Sequence, residues 1–402
     1  MIHPGLVGGP IYLDYNATTP VDPRAVEVAL PYLTTQFGNP SSGHHYARAP
    51  REAIAQARAQ LATLLNAQPA AIVFTGGGSE SDTLAIRGAA RAQNRRHVIT
   101  QPTEHPAVLR ACRSLQADGL TVTYLPLDRY GRVSPADLDS AVTPDTALVS
   151  ISYVNGETGT AQPIADLAAV ARRHGVLFHT DAAQAVGKVP IDVAELKVDL
   201  LTVVGHKMYA PKGVGALYVR AGVPLDPVIH GGGQEGGLRS GTENVAMIAA
   251  FGAAAEIAQQ ELPGCMTRLA LLRDLLHNEL DRLLPGLVRL NGHPEQRLPG
   301  TLNVSIAGVR GRALLAAIPG IAAATGSACH EGVDTPSPVL LAMGLPAERA
   351  NSAVRLTLGR WTTEREIMAA ARLIARAVAS RHAAGGMAAS ANDGAGAAAV
   401  TP

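Results

Sequence analysis

The sequence predicts an α/β protein: a mainly parallel sheet covered by helices, followed by a smaller α+β domain. Three observations carry this. Short apolar, β-rich runs alternate with stretches of helical period as far as position 219, and such alternation makes parallel strands joined by helical crossovers. From position 266 a long helix, a few strands and a final helix replace that alternation. With 402 residues, 47% of them hydrophobic and 17% charged, the chain can build one large core and a smaller second one.

The strand-like runs are residues 71–75, 97–101, 120–125, 146–152, 176–180, 198–204 and 215–219, which gives a seven-stranded sheet. Helical stretches at 80–93, 106–117 and 164–174 lie between them. The second part reads as a helix over 266–284, strands near 302–306 and 353–358, and a helix from 363. The expected division is therefore a large domain over 1–265, with the segment 1–20 packing on the small domain, and a small domain over 266–382. Residues 383–402 are rich in Ala and Gly with few large apolar side chains. Such a composition buries too little surface to offset its ordering entropy, so a disordered tail is expected.

Lys+Arg 34 against Asp+Glu 33 leaves a net charge of +1 with no basic stripe, which argues against nucleic acid or a membrane surface as partner. The three cysteines, Cys112, Cys265 and Cys329, are too widely spaced for a disulfide framework or a metal cluster. Residues 1–10 lack the basic and apolar regions of a signal peptide, and no apolar run approaches the ~20 residues that cross a bilayer. A cytoplasmic protein is expected.

Lys207 follows the apolar run 198–204 directly, in Gly205-His206-Lys207. A lysine at the end of a buried strand suits a Schiff base, because desolvation favours the neutral, nucleophilic amine. Asp181 and Gln184 close a second apolar run. An acid for a pyridine nitrogen and a lysine for an aldehyde are the two groups that pyridoxal phosphate requires. Thr75-Gly76-Gly77-Gly78-Ser79 is a glycine-rich turn between strand and helix, suited to phosphate or to a plain tight turn. His105 follows the run 97–101 and could stack on a ring or move protons. Cys329 stands in the small-residue segment Gly326-Ser327-Ala328-Cys329, unlike Cys112 with its helical apolar neighbours, and reads as a reactive thiol. Arg355 lies inside a β-like run and needs a carboxylate, from a substrate or from a salt bridge. The glycine-dense loop from His230 to Asn244, which holds Thr242, could also reach phosphate.

Together with Ile11-Tyr12-Leu13-Asp14-Tyr15-Asn16-Ala17-Thr18-Thr19-Pro20, these motifs resemble the cysteine desulfurase family, the fold type I, aminotransferase class V enzymes that use pyridoxal phosphate. Selenocysteine lyase is a near relative. The resemblance runs to about position 363. It implies that Lys207 binds the cofactor aldehyde, His105 stacks on the ring, Asp181 pairs with the ring nitrogen and Gln184 bonds the ring oxygen. Gly78, Ser79 and His206 would hold the phosphate, with Thr242 reaching it from the partner subunit of a homodimer. Asn155 would face cofactor and substrate, Arg355 would take the substrate carboxylate, and Cys329 would be the nucleophile.

The implied reaction is L-cysteine to L-alanine, with sulfur handed on through Cys329 to an acceptor protein of the iron–sulfur scaffold or tRNA-thiolation type. Selenocysteine lyase and a transaminase are the alternatives. Two positions depart from the family pattern. Gly156 stands where a second asparagine is common, and Val204 where many members have a phosphate-binding serine.

Overall fold

A computed structural model describes residues 3–326 and 335–394. After a short strand β1 (Ile11–Tyr12), the apolar runs form β2 (Ile72–Thr75), β3 (His97–Thr100), β4 (Thr121–Tyr124), β5 (Thr146–Ser150), β6 (Leu177–Asp181), β7 (Leu200–Val204) and β8 (Gly215–Val219). These seven make one sheet in the order β2-β8-β7-β6-β5-β3-β4. Only β8 opposes its neighbours; the remaining pairings are parallel. The protein is therefore α/β with a mainly parallel seven-stranded sheet.

Alternation along each strand sends successive side chains into two apolar layers. Ile72, Phe74, Ile99, Val149, Phe178 and Leu201 enter one; Val73, Val98, Leu148, Leu200 and Leu217 enter the other. Both faces are covered, which is why the strands read as continuous apolar runs rather than alternating ones. The helix Pro106–Ala117 shows how local signals agree with packing. His105 caps it, Pro106 occupies its first turn, and Val108, Ala111, Cys112 and Leu115 face the core.

The last strands are β9 (Val288–Leu290), β10 (Thr301–Ile306), β11 (Ile321–Ala322) and β12 (Ala353–Thr357). β12, β10 and β9 form an antiparallel sheet, and β1 pairs in parallel with β11. Asp14 also bridges to Thr357, and Leu13 joins Val304, Leu356 and Ile374 in the apolar cluster of this second region.

Two elements differ from the sequence expectation. The helix expected over 266–284 is the second half of a single helix, Val245–Leu283, of 39 residues with Pro263 inside it. Its first half buries Ala250, Phe251 and Ala254 against the large sheet; its second half buries Leu272, Leu276 and Leu280 in the other cluster. Burial on both sides of Pro263 holds the helix together where the chain passes from one core to the other. The final helix, Glu364–Gly394, runs beyond position 382 into the stretch read as disordered. Alanine loses least on entering a helix, so the Ala-rich sequence continues one already started.

Candidate active site

Parallel strands deliver their carboxyl ends to one edge of the sheet, where ligands of open α/β sheets bind. The candidates gather there because each follows such an end. β2 leads into Gly76-Gly77-Gly78-Ser79, β3 into Thr103-Glu104-His105, and β5 into the turn at Asn155. β6 ends on Asp181, and β7 on Val204, just before His206 and Lys207.

The Lys207 amine meets the N-terminal segment. Its Nζ donates to the carbonyl oxygens of Asn16 at 2.6 Å and Ala17 at 2.9 Å. His206 Nδ1 shares a hydrogen bond with Thr18 Oγ1 at 3.1 Å, and the Thr19 amide donates to the His206 carbonyl. Burial, helped by Lys207, lowers the His206 pKa to about 4, so its ring is neutral in the neutral range. Gln184 Nε2 donates to the same Asn16 carbonyl at 2.9 Å. Asp181 is buried, and its Oδ1 accepts from the Ala183 amide at 2.9 Å.

His105 is exposed at the start of its helix, with Nδ1 accepting from the Ala107 amide at 3.2 Å. That bond leaves the proton of the neutral ring on Nε2. Gly78 and Ser79 open the helix Gly78–Thr83, whose first N–H groups have no carbonyl one turn earlier. Gly77 is in a left-handed region with φ 146°. Glycine is also required opposite it, because a Cβ on Gly215 would lie 2.9 Å from Gly77 Cα. Val204 sits against this turn: a Cβ on Gly78 would lie 2.6 Å from Val204 Cγ2.

Arg355 on β12 is buried. Its Nη2 pairs with Asp14 Oδ1 at 2.7 Å and its Nη1 donates to the Gly156 carbonyl at 3.3 Å, while Nε is buried without a partner. Asn155 spends most of its amide on its own turn. Oδ1 accepts from Glu157 N, Thr158 N and Thr158 Oγ1, and Nδ2 donates to the Thr103 carbonyl. Among the described residues no hydrogen bond ties the exposed Thr242 to the other candidates. Cys329 lies outside the described residues.

Sequence reasoning missed several groups here. Asn16 receives bonds from both Lys207 and Gln184, and the amine of Lys188 joins the same group. Glu104 and Asp82 are fully enclosed carboxyls behind Asp181. Burial pushes Glu104 up to about 8 and raises Asp82 well above its ordinary value, and Asp181 adds repulsion to both. Burial also pushes the Glu157 carboxyl up to about 7, against a hydrogen bond from Ser337. The fourth-residue spacing of Gln184 and Lys188 was the one signal available, since it places two side chains on the same side of a helical turn.

The sequence pattern of the aminotransferase class-V family matches residues 11–369. The chain belongs to that family. Within it, the chain is 46% identical over 374 residues to the cysteine desulfurase IscS of Anaeromyxobacter dehalogenans, covering 92% of both chains. Among solved structures it is similar to a NifS-like protein, with a TM-score of 0.86, 36% identity and coverage of 92% of this chain and 99% of that one. It is also similar to SspA in complex with cysteine, with a TM-score of 0.77, 38% identity and coverage of 88% and 99%.

Proposed function

We propose that this protein is a pyridoxal-phosphate-dependent cysteine desulfurase that converts L-cysteine to L-alanine and passes the sulfur to Cys329. One observation carries the reading: the Lys207 amine stands at the carboxyl edge of the sheet beside Gln184 and His206. The 46% identity to a cysteine desulfurase over 92% of the chain supports it.

The residues fit the cofactor by their chemistry. A glycine turn at a helix start offers N–H groups for a phosphate. Lys207 is an amine for the aldehyde, Asp181 a carboxylate for the ring nitrogen, and Gln184 an N–H donor for the ring oxygen. Ser79, Gly78 and the neutral His206 would share the phosphate with Thr242 of a second subunit. Pyridoxal phosphate, when bound, supplies the electron sink that makes the substrate Cα–H acidic.

The chain's own groups do the rest. Arg355, already paired with Asp14, keeps donors for the substrate carboxylate. Lys207 removes the Cα proton, and the Nε2–H of His105 can donate a hydrogen bond to the substrate sulfur, which carries its own proton into the persulfide. The Cys329 thiolate then attacks the substrate sulfur. The Cβ–S bond breaks with its electron pair left on carbon, an S–S bond forms to Cys329, and protonation of the carbon skeleton gives alanine. The persulfide goes on to an acceptor protein. Asn155, with one N–H left on its amide, would face the substrate side.

A homodimer agrees with the apolar side chains left exposed on one stretch, Leu33, Phe37 and Tyr46. No helix of the described residues is long and apolar enough to cross a membrane, and we place the enzyme in the cytoplasm. The test is direct. Purified protein with the cofactor, L-cysteine and dithiothreitol should release alanine and sulfide in equal amounts. Selenide release from selenocysteine combined with inhibition by cysteine would make it a selenocysteine lyase instead.

A further inference from the structure

Lys188 is a half-buried lysine that the reaction above does not use. Its Nζ donates to two side-chain carbonyl oxygens, Asn16 Oδ1 at 3.0 Å and Gln184 Oε1 at 2.6 Å. No acid accompanies it in that pairing. We propose that Lys188 is a positioning residue that fixes which way the amides of Gln184 and Asn16 face, so that Gln184 presents only N–H to the cofactor.

The bonds at the other ends of the two amides agree with this. Gln184 Nε2 donates to the Asn16 backbone carbonyl. Asn16 Nδ2 donates to the Gly156 carbonyl at 3.1 Å and to Thr301 Oγ1 at 2.9 Å. Rotating the Gln184 amide by half a turn would set its NH2 group against the Lys188 N–H groups and its oxygen against the Asn16 carbonyl. The bond from Gln184 to the Asn16 carbonyl would be lost, and the Lys188 N–H groups would face another donor.

Whatever its charge, the Lys188 amine carries the two N–H groups that the two carbonyl oxygens accept. Burial, with the positive charges of Lys207 and Arg355 nearby, holds its pKa well below the ordinary lysine range. The far side of the site supports this as well. Lys188 and Asn16 line a cavity of about 30 Å³ whose other walls include Leu262, Leu269, Leu298 and Leu358, apolar surroundings that disfavour charge.

The inference rests on the reading that Gln184 meets the ring oxygen of pyridoxal phosphate. Donation into that oxygen draws charge from it and lowers the proton affinity of the nitrogen that links Lys207 to the cofactor. The experiment is a pH titration of the visible absorption of the cofactor-loaded protein, run on wild type, Lys188→Met, Gln184→Met and the double variant. Lys188→Met should raise the midpoint by on the order of one unit, the size of one hydrogen bond lost. In the Gln184→Met background, the Lys188 change should add nothing. Equal shifts in both backgrounds, or an unmoved midpoint with only a lower melting temperature, would overturn the positioning role. A wild type that shows no such absorption overturns the cofactor reading first, and this inference with it. If Lys188→Met does not accumulate as folded protein, the same cycle is run with the milder Lys188→Gln.

Discussion

Lys207 makes the sharpest claim at the scale of single residues. Its amine is held by two backbone carbonyls, and in the proposed reaction it both binds the cofactor and moves the Cα proton. Lys207→Ala should lose the visible absorption of the bound cofactor and at least ~100-fold of alanine formation, the usual size of a lost acid–base group. Absorption spectra and an alanine assay check both.

Glu104 leads to a different kind of prediction. Folded, its carboxyl keeps the proton up to about 8; unfolded, it releases it near the ordinary 4.5. The unfolded state therefore binds fewer protons between those values, and stability falls as pH rises through that window. Glu104→Gln mimics the protonated form, so the variant should gain on wild type as urea unfolding is repeated from pH 5 to pH 8. A wild type and variant with the same pH dependence would contradict a buried proton on Glu104.

Lys207 and Asp181 were readable in the sequence because each is a charge at the end of an apolar run, where a charge needs a reason. Asn16 and Glu157 were not, because their partners lie far away in the chain. Glu104 and Lys188 each showed only one near neighbour, Gln101 and Gln184, while their other partners are distant. Lys188, for example, meets Asn16 across the N-terminal segment. Asn155 illustrates the limit from the other side. Its residue type suggests a ligand, yet the structure commits most of its amide to holding its own turn.

Elements were legible wherever packing on both faces made a continuous apolar run, and β5, β6 and β7 are the clearest cases. They were less legible where one element serves two cores. The helix Val245–Leu283 changes its buried partners near Pro263 while its backbone continues, so a change of pattern looked like an end. The final helix raises the reverse question, because an Ala-rich stretch can be helical and still contribute nothing to a core. Removing residues 384–402 should leave the melting temperature and dithiothreitol-supported alanine formation near wild type. A drop in either would show that this part docks on the body of the protein.

In the whole molecule, the groups of the proposed reaction come from both apolar regions. Arg355 stands on β12 of the second sheet, while the carbonyl of Gly156 that it bonds follows β5 of the first. Asp14, from the N-terminal segment, pairs with Arg355 and bridges to β12, and Asn16, two residues on, holds Lys207 and Gln184. A chain crossing between the two regions thus ties Arg355 to Lys207. In the proposed reaction this arrangement orients one amino-acid substrate.

What distinguishes desulfuration from other reactions of such a site is the thiol that takes the sulfur. The decisive measurement is alanine formation from L-cysteine by Cys329→Ser beside wild type, with mass spectrometry of the wild-type protein after one turnover. The account predicts one added sulfur on Cys329 in the wild type, and a variant that still binds the cofactor yet forms almost no alanine. Full desulfuration of cysteine by Cys329→Ser would contradict it.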